Sequence, residues 1–207
     1  MQGSPSFRQL AFPLLLVAFA FVAPLFLSSY LIYVGSHLLV YAVLALGLNV
    51  LVGWAGQFAF AHIAFFGIGA YATALMQIKL GLPLFVALPF AAALAGLVGA
   101  IIAIPATRMR DIYLALTTFS FAQAAQWTFH SWTDVTGGTD GLRIPPTSLF
   151  GYVIADERAA FPVLAVILGL SVTALMYLRQ SSLGRAFAVI RESEHVATVS
   201  GINVRRT

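Results

Sequence analysis

The sequence holds no cysteine and very little charge. The first absence excludes disulfides, thiolate metal sites and cysteine nucleophiles, and it leaves the redox compartment unread. The second is more restrictive. Charged residues make up 9% of the chain and hydrophobic ones 60%, whereas soluble domains average roughly 25% charged, so too little polar surface remains to coat a water-soluble globule. Residues 9–78 contain no Asp, Glu, Lys or Arg at all. As one helix rising ~1.5 Å per residue this run would be on the order of 100 Å long, against a hydrocarbon core of ~30 Å. It must fold back, giving about three spans.

Apolar runs of spanning length extend from Leu10 to Leu27, Leu31 to Val52, Phe58 to Ile78, Leu82 to Ile104, Ile112 to Trp132 and Phe161 to Leu178. These patterns predict an all-α, polytopic transmembrane helix bundle of about six spans, read as a single transmembrane domain over residues 1–207. Ala18-Phe19-Ala20 could mark a signal-peptide cleavage site behind Arg8, but the apolar run continues past Ala20 and favours a retained span. Basic residues set the orientation: Arg108 and Arg110 flank a short loop and belong in the cytoplasm. Counting outward puts Arg8, Arg179, Arg185, Arg191, Arg205 and Arg206 inside with a cytoplasmic N-terminus, and Lys79, Arg143 and Arg158 outside. The formal charge of +4 therefore reflects topology rather than nucleic-acid binding. Residues 133–160, with Asp134, Asp140, Asp156 and Glu157, form the expected external loop. Residues 179–207 turn polar, with Ala186, Val189, Ile190, Ala197 and Ile202 at helical spacing, and read as a cytoplasmic amphipathic segment.

Two segments carry features beyond a plain bundle. Span four has small residues at spacing four, Ala91, Ala95, Gly99 and Ala103, beside a second ladder, Ala92, Gly96 and Ala100; small side chains let membrane helices approach closely. Residues 47–71, GLNVLVGWAGQFAFAHIAFFGIGAY, place Asn49, Gln57, His62 and Tyr71 among glycines and apolar residues. Polar groups at membrane depth must find partners, and a Gly-rich break suits a discontinuous helix or tight re-entrant turn. Their roles divide between lining a substrate pathway and locking helices together. Thr117, Thr118, Ser120 and Gln123 add polar groups in span five. The hexapeptide Thr136-Gly137-Gly138-Thr139-Asp140-Gly141 could form an anion-holding nest, but without a lysine and a following helix a turn is the simpler reading.

No catalytic set emerges and no metal-ligand spacing is present; the four His do not cluster. No carboxylate lies in the first three spans, so His62 has no proton-relay partner, and coupling to an ion gradient lacks its usual membrane-buried charge. No cofactor is implied.

The runs GLNVLVGWAGQFAFAHIAFFGIGAYATALM, RMRDIYLALTTFSFAQAAQW with the following TGGTDGL, and SSLGRAFAVIRESEHVATVSGIN together resemble the permease subunits of branched-chain amino-acid ABC transporters, of the LivM type. They occur in that family's order and cover most of residues 47–203. The resemblance implies a non-enzymatic subunit of a bacterial or archaeal inner membrane that imports branched-chain amino acids, or related small amino acids and amides. Its implied partners are a second permease, two ATPase subunits, a periplasmic binding protein and the lipid bilayer. Asn49, Gln57, His62, Tyr71, Thr117 and Thr118 then become pathway residues. The third run looks like a coupling loop that docks on the ATPase, through Gly184, Arg185, Arg191, Glu194, His195, Ala197 and Gly201. Alignment on Gly201 sets His195, Val196 and Ala197 at the generic Glu-Ala-Ala positions, with Glu194 just before them. Members of the family continue with further spans, so the resemblance also implies a partial chain. An independent secondary transporter or channel, or a non-transporting scaffold, are the rival readings.

Overall fold

The computed structural model describes residues 7–56, 59–106, 109, 111–149 and 152–192. Among the described residues six long helices dominate: α1 (Phe7–Phe26), α2 (Ser29–Leu48), α3 (His62–Leu80), α4 (Leu84–Ala106), α5 (Asp111–Ser131) and α7 (Glu157–Gln180). The short α6 (Thr133–Thr136), a 3-10 turn (Gly138–Asp140) and an antiparallel hairpin of β1 (Thr147–Leu149) and β2 (Tyr152–Ile154) connect α5 to α7, and α8 (Ser182–Glu192) follows. The protein is thus an all-α membrane protein, with one small hairpin.

Each expected span coincides with one long helix. Among the described residues, four helices are long and apolar enough to cross a bilayer: Ser29–Trp54, His62–Leu80, Leu84–Ala106 and Glu157–Gln180; Pro13–Phe26 within α1 is a shorter apolar helix. Helix α5 has the length, 21 residues, but its hydroxyls, glutamines and His130 lower its hydropathy. Residues 133–160, expected as an external loop, hold the short helix, the 3-10 turn and the hairpin.

Local chemistry sets the ends. The Ser28 side chain accepts from the Leu31 amide at the start of α2, and Asp156 Oδ1 accepts from the Ala159 amide, 2.9 Å away, at the start of α7, each satisfying an amide that the first helical turn leaves unpaired. Gly81 closes α3 in the left-handed conformation, φ 62°, with the Leu82 amide on Met76 O, and Pro83 then sets the start of α4.

The chain divides into two compact units, Met1–Gln57 with Asp156–Thr207, and Phe58–Ala155. In the first, α7 packs along α1 and α2. Its core is Ala20, Ala23, Ile32, Phe161 and Ala165, and it needs small neighbours: the Phe161 ring lies where a Gly35 Cβ would stand, 2.8 Å from that position. Without a hydrophobic drive between helices in lipid, such close packing supplies the association energy. Ala20, at the end of the signal-like tripeptide, is buried in this core at 2% exposure. The guanidinium of Arg158 ties the start of α7 to the α1–α2 corner, donating to Pro24 O (3.1 Å), Leu27 O (3.4 Å) and Ser29 Oγ (3.2 Å).

In the second unit α4 packs along α3, and α5 packs on α3. Only one of the two small-residue ladders of α4 is used for this. Ala91 is buried, Ala95 and Gly99 are half-buried and a Cβ on Gly99 would meet the Phe65 ring at 3.7 Å, whereas Ala103 and the second ladder, Ala92, Gly96 and Ala100, are exposed.

Candidate functional site

The Gly-rich break is built as a change of helix type. After Leu48 the chain of α2 widens into a π-helical segment, Asn49–Trp54, in which the Ala55 amide bonds Val50 O, five residues back, at 3.1 Å. Such segments concentrate at functional positions because they displace side chains from the regular helical register. Gly53 permits it: a Cβ there would collide with Asn49 Oδ1. Gly56 follows with φ 69°, a left-handed turn that ends the helix. Asn49 itself is exposed on the first unit.

In the second unit the chain re-enters a helix at His62 with no side-chain cap, so the amides before it need acceptors. Thr118 of α5 supplies one. Its Oγ1 accepts from the Phe60 amide at 3.0 Å while donating to Leu114 O at 2.8 Å. A hydroxyl that lies 58 residues away in sequence thereby satisfies backbone freed by the broken helix, as the absence of water at membrane depth requires. Further along the same pair of helices, Tyr71 stacks on Phe129 with centroids 4.8 Å apart. The Phe129 edge sits 2.6 Å from where a Gly67 Cβ would be.

The residues singled out in the sequence therefore separate. Thr118 is buried and its hydroxyl is committed to the Phe60 amide; Thr117 donates to Met109 Sδ at 3.1 Å. His62 and Tyr71 are half-buried on α3. Gln57 lies outside the described residues. Of the coupling residues, Gly184 and Arg185 lie in the first turn of α8 and Arg191 near its end, whereas Glu194, His195, Ala197 and Gly201 lie outside the described residues.

The corner between α7 and α8 is tightly made. Ser181 Oγ donates to Leu178 O at 2.6 Å and accepts from the Gly184 amide at 3.3 Å, and Arg185 Nη1 donates to Gln180 O at 2.8 Å. Gly184 is buried directly on the last carbonyls of α7, where a Cβ would collide with Leu178 O. From this corner α8 runs against the π-helical segment of the same unit. The amphipathic helix is thus packed both on the end of one span and on the irregular end of another.

The Thr136–Gly141 hexapeptide is a helix stop rather than an anion nest. Thr136 Oγ1 donates to Phe129 O at 2.6 Å and accepts from the Gly138 amide at 3.2 Å. The Gly137 amide bonds Thr133 O and the Asp140 amide bonds Gly137 O, so three of the amides a nest would need are occupied. Gly137, at φ 75°, folds onto Gly141 O so closely that no side chain fits.

Among the described residues, two buried polar ones, Ser36 and Gln77, escaped the sequence reading. Ser36 is buried in α2 with no hydrogen-bond partner for Oγ among the described residues, and Gln77 is buried in α3. The only available signal was a polar residue inside an apolar run, which does not tell an inward side chain from an outward one.

The family described as branched-chain amino acid transport system / permease component matches residues 30–207. The high-affinity branched-chain amino acid transport system permease protein LivM of Escherichia coli (strain K12) is 29% identical over 223 residues, covering 96% of this chain and 52% of that protein. Its namesake from Salmonella typhimurium (strain LT2) is 28% identical with the same coverage. The chain spans about half the length of these curated relatives. No solved structure matches it. With most of its residues inside the family match, and with long apolar helices throughout, the chain belongs to the branched-chain amino acid transport permease family.

Proposed function

We propose that this chain is part of the permease subunit of an ATP-binding-cassette importer of the cell inner membrane, moving branched-chain amino acids or related small amino acids and amides into the cell. A second permease, two ATPase subunits and a periplasmic binding protein complete the assembly. In this reading the N-terminus is cytoplasmic and the loop of residues 133–160 faces the binding protein. The residues from Asn49 to Tyr71 with those of α5 border the route, and residues 179–207 couple to the ATPase.

The observation that supports this best is the α7–α8 corner. A helix fixed at one end to a span and resting on the π-helical end of another can pass on a rigid-body displacement, which a loose amphipathic tail on lipid cannot. No carboxylate precedes Asp111 in the sequence, which suits a permease whose energy comes from a separate ATPase better than one driven by an ion gradient. Nothing in this role requires the chain to be an enzyme.

Reconstitution tests the proposal. Proteoliposomes holding the full-length protein with its partner permease and ATPases should import labelled leucine only when ATP and loaded binding protein are both present. Uptake without the ATPase subunits would establish the secondary-transporter or channel reading instead. In the same system Gly201→Trp should leave ATP hydrolysis in place while uptake falls; unchanged uptake removes the coupling role of that loop.

A further inference from the structure

Helix α5 divides sharply into two arcs. The arc that packs inward carries buried Leu114, Thr118 and Ala122 with half-buried Phe121, Ala125 and Phe129. The opposite arc is exposed from end to end, and its character changes half way along. From Ile112 to Phe119 it is hydrophobic, with Ile112, Leu116 and Phe119 exposed and the phenol of Tyr113 at its start; from Ser120 it presents Gln123, Gln126, Trp127 and His130. The Ser120 hydroxyl is satisfied by Leu116 O at 2.9 Å. The carboxamides of Gln123 and Gln126 and the His130 ring have no hydrogen-bond partner among the described residues.

Hydrocarbon cannot face this arc, because it offers nothing to two primary amides and an imidazole. The polar stretch from Ser120 to His130 rises ~15 Å, about half a bilayer, and runs on into the capped loop that begins at Thr133. We propose that this half of α5 lines a water-filled vestibule, open toward the Thr133 loop, that takes a small zwitterion with an apolar side chain. The inference rests on the importer reading and adds the receiving surface to it. A carboxamide can donate to a carboxylate and accept from an ammonium group. Side by side on one face, Gln123 and Gln126 recognise a molecule bearing both and favour neither a net anion nor a net cation. Trp127, 71% exposed, supplies apolar surface beside them.

The chain has no cysteine, so single substitutions report cleanly. In the assembled full-length transporter in proteoliposomes, Gln123→Cys and Gln126→Cys should react with a membrane-impermeant methanethiosulfonate about tenfold or more faster than Leu97→Cys, since thiol reactivity follows access to water. Leu97 is an exposed apolar residue of α4. Leucine should slow the reaction at both sites, whereas isocaproate, its anionic analogue without the amine, and isoamylamine, its cationic analogue without the carboxylate, should not. Labelling no faster than at Leu97 means the face is covered by another helix and overturns the vestibule. Equal protection by either analogue, or none by leucine, overturns its ligand chemistry. If a glutamine variant does not insert, Ser120→Cys on the same arc takes its place. ATP-dependent uptake by the unsubstituted assembly, measured alongside, separates the two ideas: uptake with unreactive cysteines removes the vestibule alone, and loss of ATP dependence removes the importer reading.

Discussion

The hydrogen bond from the Phe60 amide to Thr118 gives the most direct physical test of how the broken helix is held. Thr118→Val keeps the shape and removes the acceptor. Leu114 O, which accepts the Thr118 hydroxyl, lies inside α5 and keeps its helical amide partner, so the loss falls on Phe60. An amide left unsatisfied away from water costs about 1–3 kcal/mol, which corresponds to a roughly 5- to 150-fold shift in a local opening equilibrium. Hydrogen–deuterium exchange of a peptide spanning residues 59–65, measured on the lipid-reconstituted assembly, reads that equilibrium directly. The Val variant should exchange faster by that factor, and Thr118→Ser, which keeps the oxygen, should stay close to the parent. Thr117→Val is the internal control, because its hydroxyl meets only the weak sulfur acceptor of Met109. Exchange in Thr118→Val equal to that of the parent would refute the reasoning, since the Phe60 amide would then have another acceptor.

Three further outcomes are expected. Gly184→Val pushes a side chain into the last carbonyls of α7 and opens the α7–α8 corner; coupling routes respond to such changes by ~0.5–2 kcal/mol, so ATP hydrolysed per imported molecule should rise roughly 2- to 30-fold, and an unchanged ratio would show that the corner transmits nothing. Arg158→Ala removes three donors from the α1–α2 corner; being exposed, they contribute modestly, about 1 kcal/mol in total, and the thermal midpoint should fall by about 2–4 °C, with no fall indicating that solvent replaces them. Ser36→Ala removes a buried hydroxyl with no partner among the described residues, so it should be neutral or stabilise by up to about 1 kcal/mol; a clear loss of stability would reveal an acceptor contributed by another subunit.

The sequence made the helices legible because hydrocarbon imposes a length on them. A charge-free stretch from residue 9 to 78 has to fold back, and the breaks fall where Gly81 and Pro83, or Ser28, supply caps. It also located the discontinuity, since Gly53 and Gly56 stand together after Asn49. What composition could not supply was the pairing across sequence distance. Thr118 reads as a pathway hydroxyl among Thr117, Ser120 and Gln123, and only the placement of Phe60 beside it turns it into a backbone acceptor. The small-residue ladders were equally ambiguous: Ala91 and Ala92 are indistinguishable in the sequence, and burial separates them, 2% exposed for Ala91 against an exposed Ala92.

The same distinction changes where a substrate path should be sought. At membrane depth a hydroxyl on a helix can bond the carbonyl three or four residues back, as Ser120, Thr128 and Thr173 do, so it can face any direction without cost and carries little information about its surroundings. A carboxamide in the middle of a helix has no such easy local partner among backbone groups that are already bonded. Its orientation therefore reports what lies opposite. Gln77 turns inward, whereas Gln123 and Gln126 turn outward on one arc of α5. An outward pair must meet water, solute or another polar helix, and the arc that carries it is for that reason a stronger guide to the route than the threonines beside it.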